Sequence, residues 1–383
     1  MTWTGVRRPV PSYAEDRRIV MTLDAGGTSF RFAAIRGTRP VTEVVVAPSN
    51  ADDLTRCLAT LAEGFARIRQ RCPEAPVAIS FAFPGPADYP SGIIGDLPNL
   101  PAFRGGVALG PMLEEQFGIP VFINNDGNLF AYGEALAGFL PYVNGLLAEA
   151  GSPKRFATIL GVTLGTGFGG GIVFEGGIHV GDNSLAGEVW LLRSKLNPET
   201  NAEDGASIRA VRRVYAEEAG VLVDDAPDPK AIFEIGMGRR AGHRAAAVEA
   251  FRRLGEVVGD AIAQASTLVD GLVVIGGGVS GSWPLFLPSL VDEINGLYTG
   301  PGGRPLRRLT AVAFNFEDPA QRQRFIEGDA REIGVPGTSR RVRYDPLQRI
   351  GVGMSRLGTS EAIGVGAYAV ALDELDRSVA SRV

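Results

Sequence analysis

The chain has 383 residues, 45% of them hydrophobic and 21% charged, with a net charge of −5 and an isoelectric point near 5.4. That length predicts two domains, the composition is that of a globular protein, and the acidic balance argues against a nucleic-acid groove as the main function. Two cysteines, Cys57 and Cys72, exclude a disulfide framework, point to a reducing compartment, and are too few for a zinc site of three cysteines and one histidine.

Residues 1–17 read as a polar, proline-containing N-terminal tail without the apolar core of a signal peptide. No apolar run reaches the length of a membrane span, so a cytoplasmic protein without a membrane partner is expected. "RRIVMTLDAGGTSFRFAAIRG" then predicts a strand, a glycine turn and a second strand with alternating apolar residues. "DDLTRCLATLAEGFARIRQRC" has apolar residues at helical spacing, with Asn50 or Asp52 expected as N-cap. "APVAISFAFPGPAD" predicts a buried strand stopped by Pro-Gly-Pro, and "MLEEQFG" with "IPVFINNDGNLFAYGEALAG" predicts helix, strand, turn and helix. The first 140 residues therefore read β-β-α-β-α-β-α, an α/β pattern.

"RFATILGVTLGTGFGGGIVFEGG" is again strand, glycine turn and strand, followed by a helix in "ASIRAVRRVYAEEAG" and a long one from about Arg239. "GLVVIGGGVSGSWPLFLPSLVDEI" predicts strand, glycine loop and helix, with Ser282 as N-cap and Pro284 in the first turn. Residues 300–350, rich in Arg, Gly and Pro, give no clear pattern, and "SEAIGVGAYAVALDEL" closes the chain as a helix. Thr22-Leu23-Asp24-Ala25-Gly26 and Thr163-Leu164-Gly165-Thr166-Gly167 occupy equivalent places 141 positions apart. That pairing suggests a duplicated fold with a cleft between its halves.

Gly165-x-Gly167-x-x-Gly170 fits the dinucleotide fingerprint, but such a turn needs a helix directly after its glycines. "GIVFEGG" predicts a strand there, which argues against a nicotinamide-dependent oxidoreductase. A Walker loop fails as well, because none of the three lysines, Lys154, Lys195 and Lys230, follows a glycine. Two readings stay open for the turn: a hairpin with no ligand, or an anion nest of backbone N–H groups.

"LDAGGTSFRFAAI", "FAFPGPAD", "LPNL", "NNDGN", "LGTGFGGGIVFEGG", "LAGEV" and "IGGGVS" stand in the order and spacing of the ROK family, and "LGTSEAIGVGAYAVAL" resumes the match. The chain resembles that family of bacterial sugar kinases and sugar-responsive repressors over roughly residues 18–290. The family's repressors carry an N-terminal helix-turn-helix, and with about 17 residues before the first strand this chain resembles a kinase member. The resemblance implies an α/β, actin/hexokinase-like (ribonuclease H-like) duplicated two-domain fold. Its expected parts are a small domain over 18–125 with the first phosphate hairpin, and a larger one over 126–383 with the second hairpin and an adenosine-side loop. The C-terminal helix is expected to return to the small domain. ATP with Mg2+, a sugar substrate with glucose as default, and a homodimer are also implied.

Residue by residue, the resemblance makes Asp126 the general base that takes a sugar hydroxyl proton; on sequence alone, Asp126 or Asn125 equally well caps the helix. Asp24 is implied beside the Mg-bound phosphates, with Gly26, Gly27 and Thr28 as turn donors; alternatively it bonds its own turn. Gly165, Thr166 and Gly167 form the implied second phosphate hairpin. Gly276, Gly277 and Gly278 form the implied adenosine loop, or simply a tight connection. For the sugar, the resemblance implies Asn99, Asn125, Asp126, Glu188 and Glu203; for the two glutamates a solvated surface position is the alternative.

The chain departs from the family where Gly187-Glu188-Val189-Trp190-Leu191 replaces Gly-Glu-Ile-Gly-His and "LRSKLNPETNAE" replaces the zinc-binding cysteines. No structural zinc is expected, and Leu191 supplies no histidine to the sugar. An N-acetylhexosamine kinase and a non-catalytic sugar-sensing protein are the alternatives this leaves. His179 is expected to be an ordinary loop residue.

Overall fold

The computed structural model describes residues 13–26, 28–97 and 100–380. Asn99 and Gly27 therefore lie outside the described residues. The described residues divide into two compact units, those within 1–138, 175–186 and 357–383, and those within 139–174 and 187–356.

The first unit is built on one sheet. Strand β1 (Val20–Ala25) and β2 (Ser29–Arg36) form the antiparallel hairpin expected around the first glycine turn. The short β3 (Arg39–Pro40) and β4 (Val45–Pro48) both pair with β2. Helix α1 (Leu54–Arg71) is followed by β5 (Ala78–Ala82), buried along its whole length and parallel to β1. A small ribbon of β6 (Ala87–Asp88) and β7 (Ile93–Ile94) leads to α2 (Leu109–Phe117), then to β8 (Val121–Asn124), parallel to β5, and α3 (Asp126–Leu136). Helix α1 is capped by Asp53, whose carboxylate accepts the Arg56 N–H at 3.0 Å, not by Asn50 or Asp52. Asn50 is spent on the preceding turn, at φ 49°, with its amide donating to Thr60 Oγ1.

The second unit repeats the plan. Helix α4 (Phe139–Glu149) precedes β9 (Ile159–Leu164) and β10 (Phe168–Phe174), the second antiparallel glycine hairpin. The two-residue β11 (Gly177–Ile178) belongs to the first unit. Helices α5 (Ile208–Ala219), α6 (Pro229–Gly236) and α7 (Arg244–Val269) lead to β12 (Leu272–Gly276), parallel to β9. Helix α7 starts at Arg244, later than expected, because Gly238 and Gly242, both at positive φ, break the chain after α6. Ser282 stands at the N-cap of α8 (Trp283–Ile294) as expected, but its hydroxyl makes no cap bond.

The unpatterned stretch proves to be a set of short elements. These are a hairpin of β13 (Leu297–Thr299) and β14 (Pro305–Arg307), the sheet strand β15 (Val312–Asn315), α9 (Pro319–Glu327), and a second hairpin of β16 (Arg331–Gly334) and β17 (Arg341–Tyr344). It returns through β18 (Arg349–Met354), a fully buried strand between β12 and β15 and parallel to both. Each unit thus has an antiparallel glycine hairpin whose first strand continues into parallel strands, β3-β2-β1-β5-β8 in one and β10-β9-β12-β18-β15 in the other. Buried parallel strands of Val, Ile and Leu, such as "LVVIG" in β12, are what a sheet covered on both faces requires.

Helix α10 (Thr359–Ala380) packs within the first unit and fixes where α3 sits. A Cβ on Gly133 would lie 2.0 Å from the Ala362 carbonyl oxygen, and one on Gly366 would lie 2.0 Å from that of Leu129. The two helices touch backbone to backbone at reciprocal glycines. Tyr132 in α3 donates to Asp373 in α10 at 2.7 Å, and the fully buried Glu134 accepts the Leu357 N–H. These contacts move the unit boundary to Gly138, so that α3 and Asp126 belong with the first sheet and not with the second unit. Residues 1–12 of the expected tail lie outside the described residues. Tyr13 is buried and donates to Asp373, and Arg18 pairs with Asp16 and Asp376, so the described end of the tail is bound to α10.

Candidate functional site

In the first unit, β1, β5 and β8 run parallel, so their carboxyl ends share one sheet edge. Asp24 lies at the end of β1, and Asp126 follows β8 as the first residue of α3. Ligands of α/β sheets gather at such an edge. The cap is made by Asn125: its Oδ1 accepts the N–H groups of Gly127 at 2.8 Å and Asn128 at 3.4 Å. Asn124 in turn accepts from the Asn125 N–H and from the Asn128 amide. With capping done by its neighbour, Asp126 keeps an exposed side chain, which accepts the Gly127 N–H at 2.8 Å. Protein atoms crowd this carboxyl although the residue retains accessible surface. Desolvation raises its pKa above the ordinary aspartate value, backbone N–H groups oppose the rise, and the Asp24 charge adds to it.

Asp24 accepts from the Ser360 hydroxyl at 3.2 Å, at the start of α10. The turn after β1 is closed by the Gly26 N–H donating to the Ser29 carbonyl, and Thr28 beyond it is exposed.

In the second unit, the hairpin of Gly165, Thr166 and Gly167 is closed by the Gly165 N–H on the Gly167 carbonyl at 3.0 Å. The loop of Gly276, Gly277 and Gly278 comes against the same strand end, with the Val279 N–H donating to the Leu164 carbonyl at 2.9 Å. Parallel pairing of β9 and β12 places Gly276 opposite Thr163. The two glycine segments predicted apart in the sequence are therefore neighbours. Gly170, the third glycine of the false dinucleotide match, lies in β10, and a Cβ there would stand 2.5 Å from the Gly187 carbonyl. It lets "LAGEV" pass close over the strand.

Glu188 is half-buried and accepts from the Trp190 indole N–H. Glu203 accepts the Phe168 N–H at 3.0 Å with Oε2 and faces Arg209 at 3.5 Å with Oε1. Leu191 is exposed, as is His179.

A ROK family profile matches residues 20–314. The chain belongs to the ROK family. A crystal structure of a glucokinase from Parabacteroides distasonis is 55% identical to it, covering 95% of this chain and 99% of that one, with a TM-score of 0.87. Its fold is the actin-like, two-unit α/β fold of that ROK structure. Among curated relatives, an N-acetyl-D-glucosamine kinase of Vibrio cholerae is 33% identical over 45% of this chain and 51% of its own. A glucokinase of Streptomyces coelicolor is 26% identical over 77% of this chain and 92% of its own. The chain spans about half the length of the first curated relatives it matches.

Two residues that hydrogen-bond to candidate site residues, one in each unit, carry little signal in the sequence. Ser360 had a signal, since "LGTSEAIG" belongs to the family motifs, but its link to Asp24 spans 336 positions. Trp190 had none: only the folded 3-10 turn after Glu188 aims its indole back at the carboxylate.

Proposed function

We propose that this ROK protein is an ATP-dependent sugar kinase with Asp126 as general base. The observation that carries this is the division of labour at α3. Asn125 caps the helix, and Asp126 is left accessible at the carboxyl edge of a parallel sheet beside Asp24. Phosphoryl transfer to a hydroxyl asks the protein for a base, for donors to the phosphates and for alignment. Asp126 meets the first need and takes the hydroxyl proton. Gly26, Gly27, Thr28 and the Gly165–Thr166–Gly167 hairpin meet the second with N–H and hydroxyl donors. Gly276, Gly277 and Gly278 take the adenosine side. Asn99, the Asn125 amide group, which its capping oxygen leaves available, Glu188 and Glu203 supply groups for sugar hydroxyls.

Asp24 and Asp126 are hard oxygen donors suited to Mg2+. Asp24 is assigned to hold it, and the ion would neutralise phosphate charge. Glucose is the preferred sugar, supported by the 55% identity to a protein called a glucokinase over nearly its full length. N-acetylhexosamines are the second reading, supported by the curated relatives called N-acetyl-D-glucosamine kinases. A cytoplasmic homodimer goes with the same reading.

A coupled ADP assay over hexoses and N-acetylhexosamines tests it, with calorimetry of ATP binding alongside. Turnover of one sugar class is expected. No turnover on any sugar together with no ATP binding would overturn the kinase reading and leave a non-catalytic member of the family.

A further inference from the structure

Glu203 is placed to act on the glycine hairpin. Its Oε2 accepts the N–H of Phe168, the residue directly after the hairpin, at 3.0 Å. A Cβ on Gly167 would lie 2.6 Å from that same oxygen, so the hairpin is glycine where the carboxylate presses on it. Five residues on, the Ile208 N–H at the start of α5 donates to the Gly165 carbonyl at 2.9 Å. The hairpin is thus held at both shoulders by one segment.

That segment is itself anchored. Lys195 pairs with Glu256 at 2.8 Å on α7 and with Glu293 at 2.7 Å on α8. Within it, the Ala202 N–H donates to the Leu192 carbonyl and the Ser194 N–H to that of Thr200. The buried Ser207 caps α5. A carboxylate behind a turn that receives phosphates is electrostatically unfavourable unless its charge is used or offset. Here one oxygen is committed to a backbone donor and the other faces Arg209.

We propose that Glu203 is a positioning residue for nucleotide phosphate. Its carboxylate fixes the hairpin of Gly165, Thr166 and Gly167, so that the turn's N–H groups stay aimed at the phosphates without reorganising when ATP arrives. This rests on the kinase reading and adds to it a role for Glu203 on the nucleotide side. The same segment begins at Glu188, so it ties the sugar-reading residues to the nucleotide turn.

The test is titration of a non-hydrolysable ATP analogue into wild type, Glu203→Ala, Glu203→Gln and Gly167→Ala, without sugar. Glu203→Ala loses one charge-assisted hydrogen bond, and about tenfold weaker nucleotide binding is expected. Glu203→Gln keeps an oxygen acceptor and removes the negative charge, so it binds at least as tightly as wild type. Gly167→Ala drives a methyl into the carboxylate and weakens binding; added to Glu203→Ala it costs little more. Hydrogen exchange of the segment around residues 164–169 rises in Glu203→Ala and returns to the wild-type rate in Glu203→Gln, with no ligand present. A Glu203→Ala protein that binds the analogue as tightly as wild type overturns the proposal, whatever happens to its sugar affinity. A wild type that does not bind the analogue overturns the kinase reading instead.

Discussion

Replacing Gly133 with Ala puts a methyl into the crossing of α3 and α10. The added Cβ would lie 2.0 Å from the Ala362 carbonyl oxygen, a backbone atom that no rotamer change can move. Carbon and oxygen need about 3 Å, so the helices must part by roughly 1 Å, an overpacking that costs about 1–3 kcal/mol. Gly366 meets the Leu129 carbonyl just as closely on the other helix, leaving little slack to absorb the shift. Asp126 stands about 10 Å up the same helix at 1.5 Å per residue, and a misplacement of about 1 Å at a reacting group costs up to ~100-fold in rate. Urea denaturation should show Gly133→Ala destabilised by about 2–3 kcal/mol, and kcat should fall by tenfold or more. Gly145→Ala is the control: on α4, where a Cβ meets nothing within 4 Å, it should stabilise the protein by about 0.5–1 kcal/mol. A Gly133→Ala protein as stable as wild type would refute the packing argument, whatever the protein's activity.

Two further variants probe the second unit. Trp190→Phe keeps the ring and deletes the N–H that Glu188 accepts, and the freed carboxylate should raise the sugar KM by about tenfold with kcat less affected. An unchanged sugar KM in steady-state assays would remove Glu188, or its orientation by Trp190, from the sugar site. Arg308 joins Asp260 of α7 and Glu293 of α8, with all three side chains nearly buried. Arg308→Ala leaves Asp260 with only the Gln264 amide and Glu293 with Lys195 as its remaining cation, and should cost about 3 kcal/mol in urea denaturation. A loss below about 1 kcal/mol would show that the group behaves as a solvated surface cluster.

The repeated "TLDAG" and "TLGTG" turns announced the duplicated plan, and the strand after Gly170 separated this hairpin from a dinucleotide turn. Those signals are local, carried by periods of two residues and by turn glycines. The stretch from 300 to 350 was not legible because its elements are three or four residues long, and β15 is defined by its pairing with β18 rather than by its own pattern. The division of the chain at Gly138 has a related cause, since the close approach at Gly133 and Gly366 exists only once the two helices are laid together. At the site, "NNDGN" left a helix cap by Asp126 or Asn125 on even terms with a catalytic role for Asp126. Only the hydrogen bonds show that Asn125 makes the cap. Glu203 was legible through the family resemblance alone, and its bond to Phe168 was not, because it joins residues 35 positions apart.

Whether Asp126 takes the sugar proton is read from the pH dependence of turnover by wild type and Asp126→Asn. The wild-type carboxyl is held above the ordinary aspartate value by desolvation, so its activity should fall with decreasing pH at a point above ~3.9. A raised folded-state pKa means that the native state loses relative stability as pH rises from the unfolded value through the folded one. Asp126→Asn, which has no proton to lose, should therefore melt higher than wild type near neutral pH and lose that advantage in acid. Asp126→Asn should bind sugar and ATP by calorimetry while kcat drops by about 10²–10⁴-fold and the acid limb disappears. An Asp126→Asn protein that turns over at the wild-type rate with the wild-type pH profile would contradict the role of Asp126 as base.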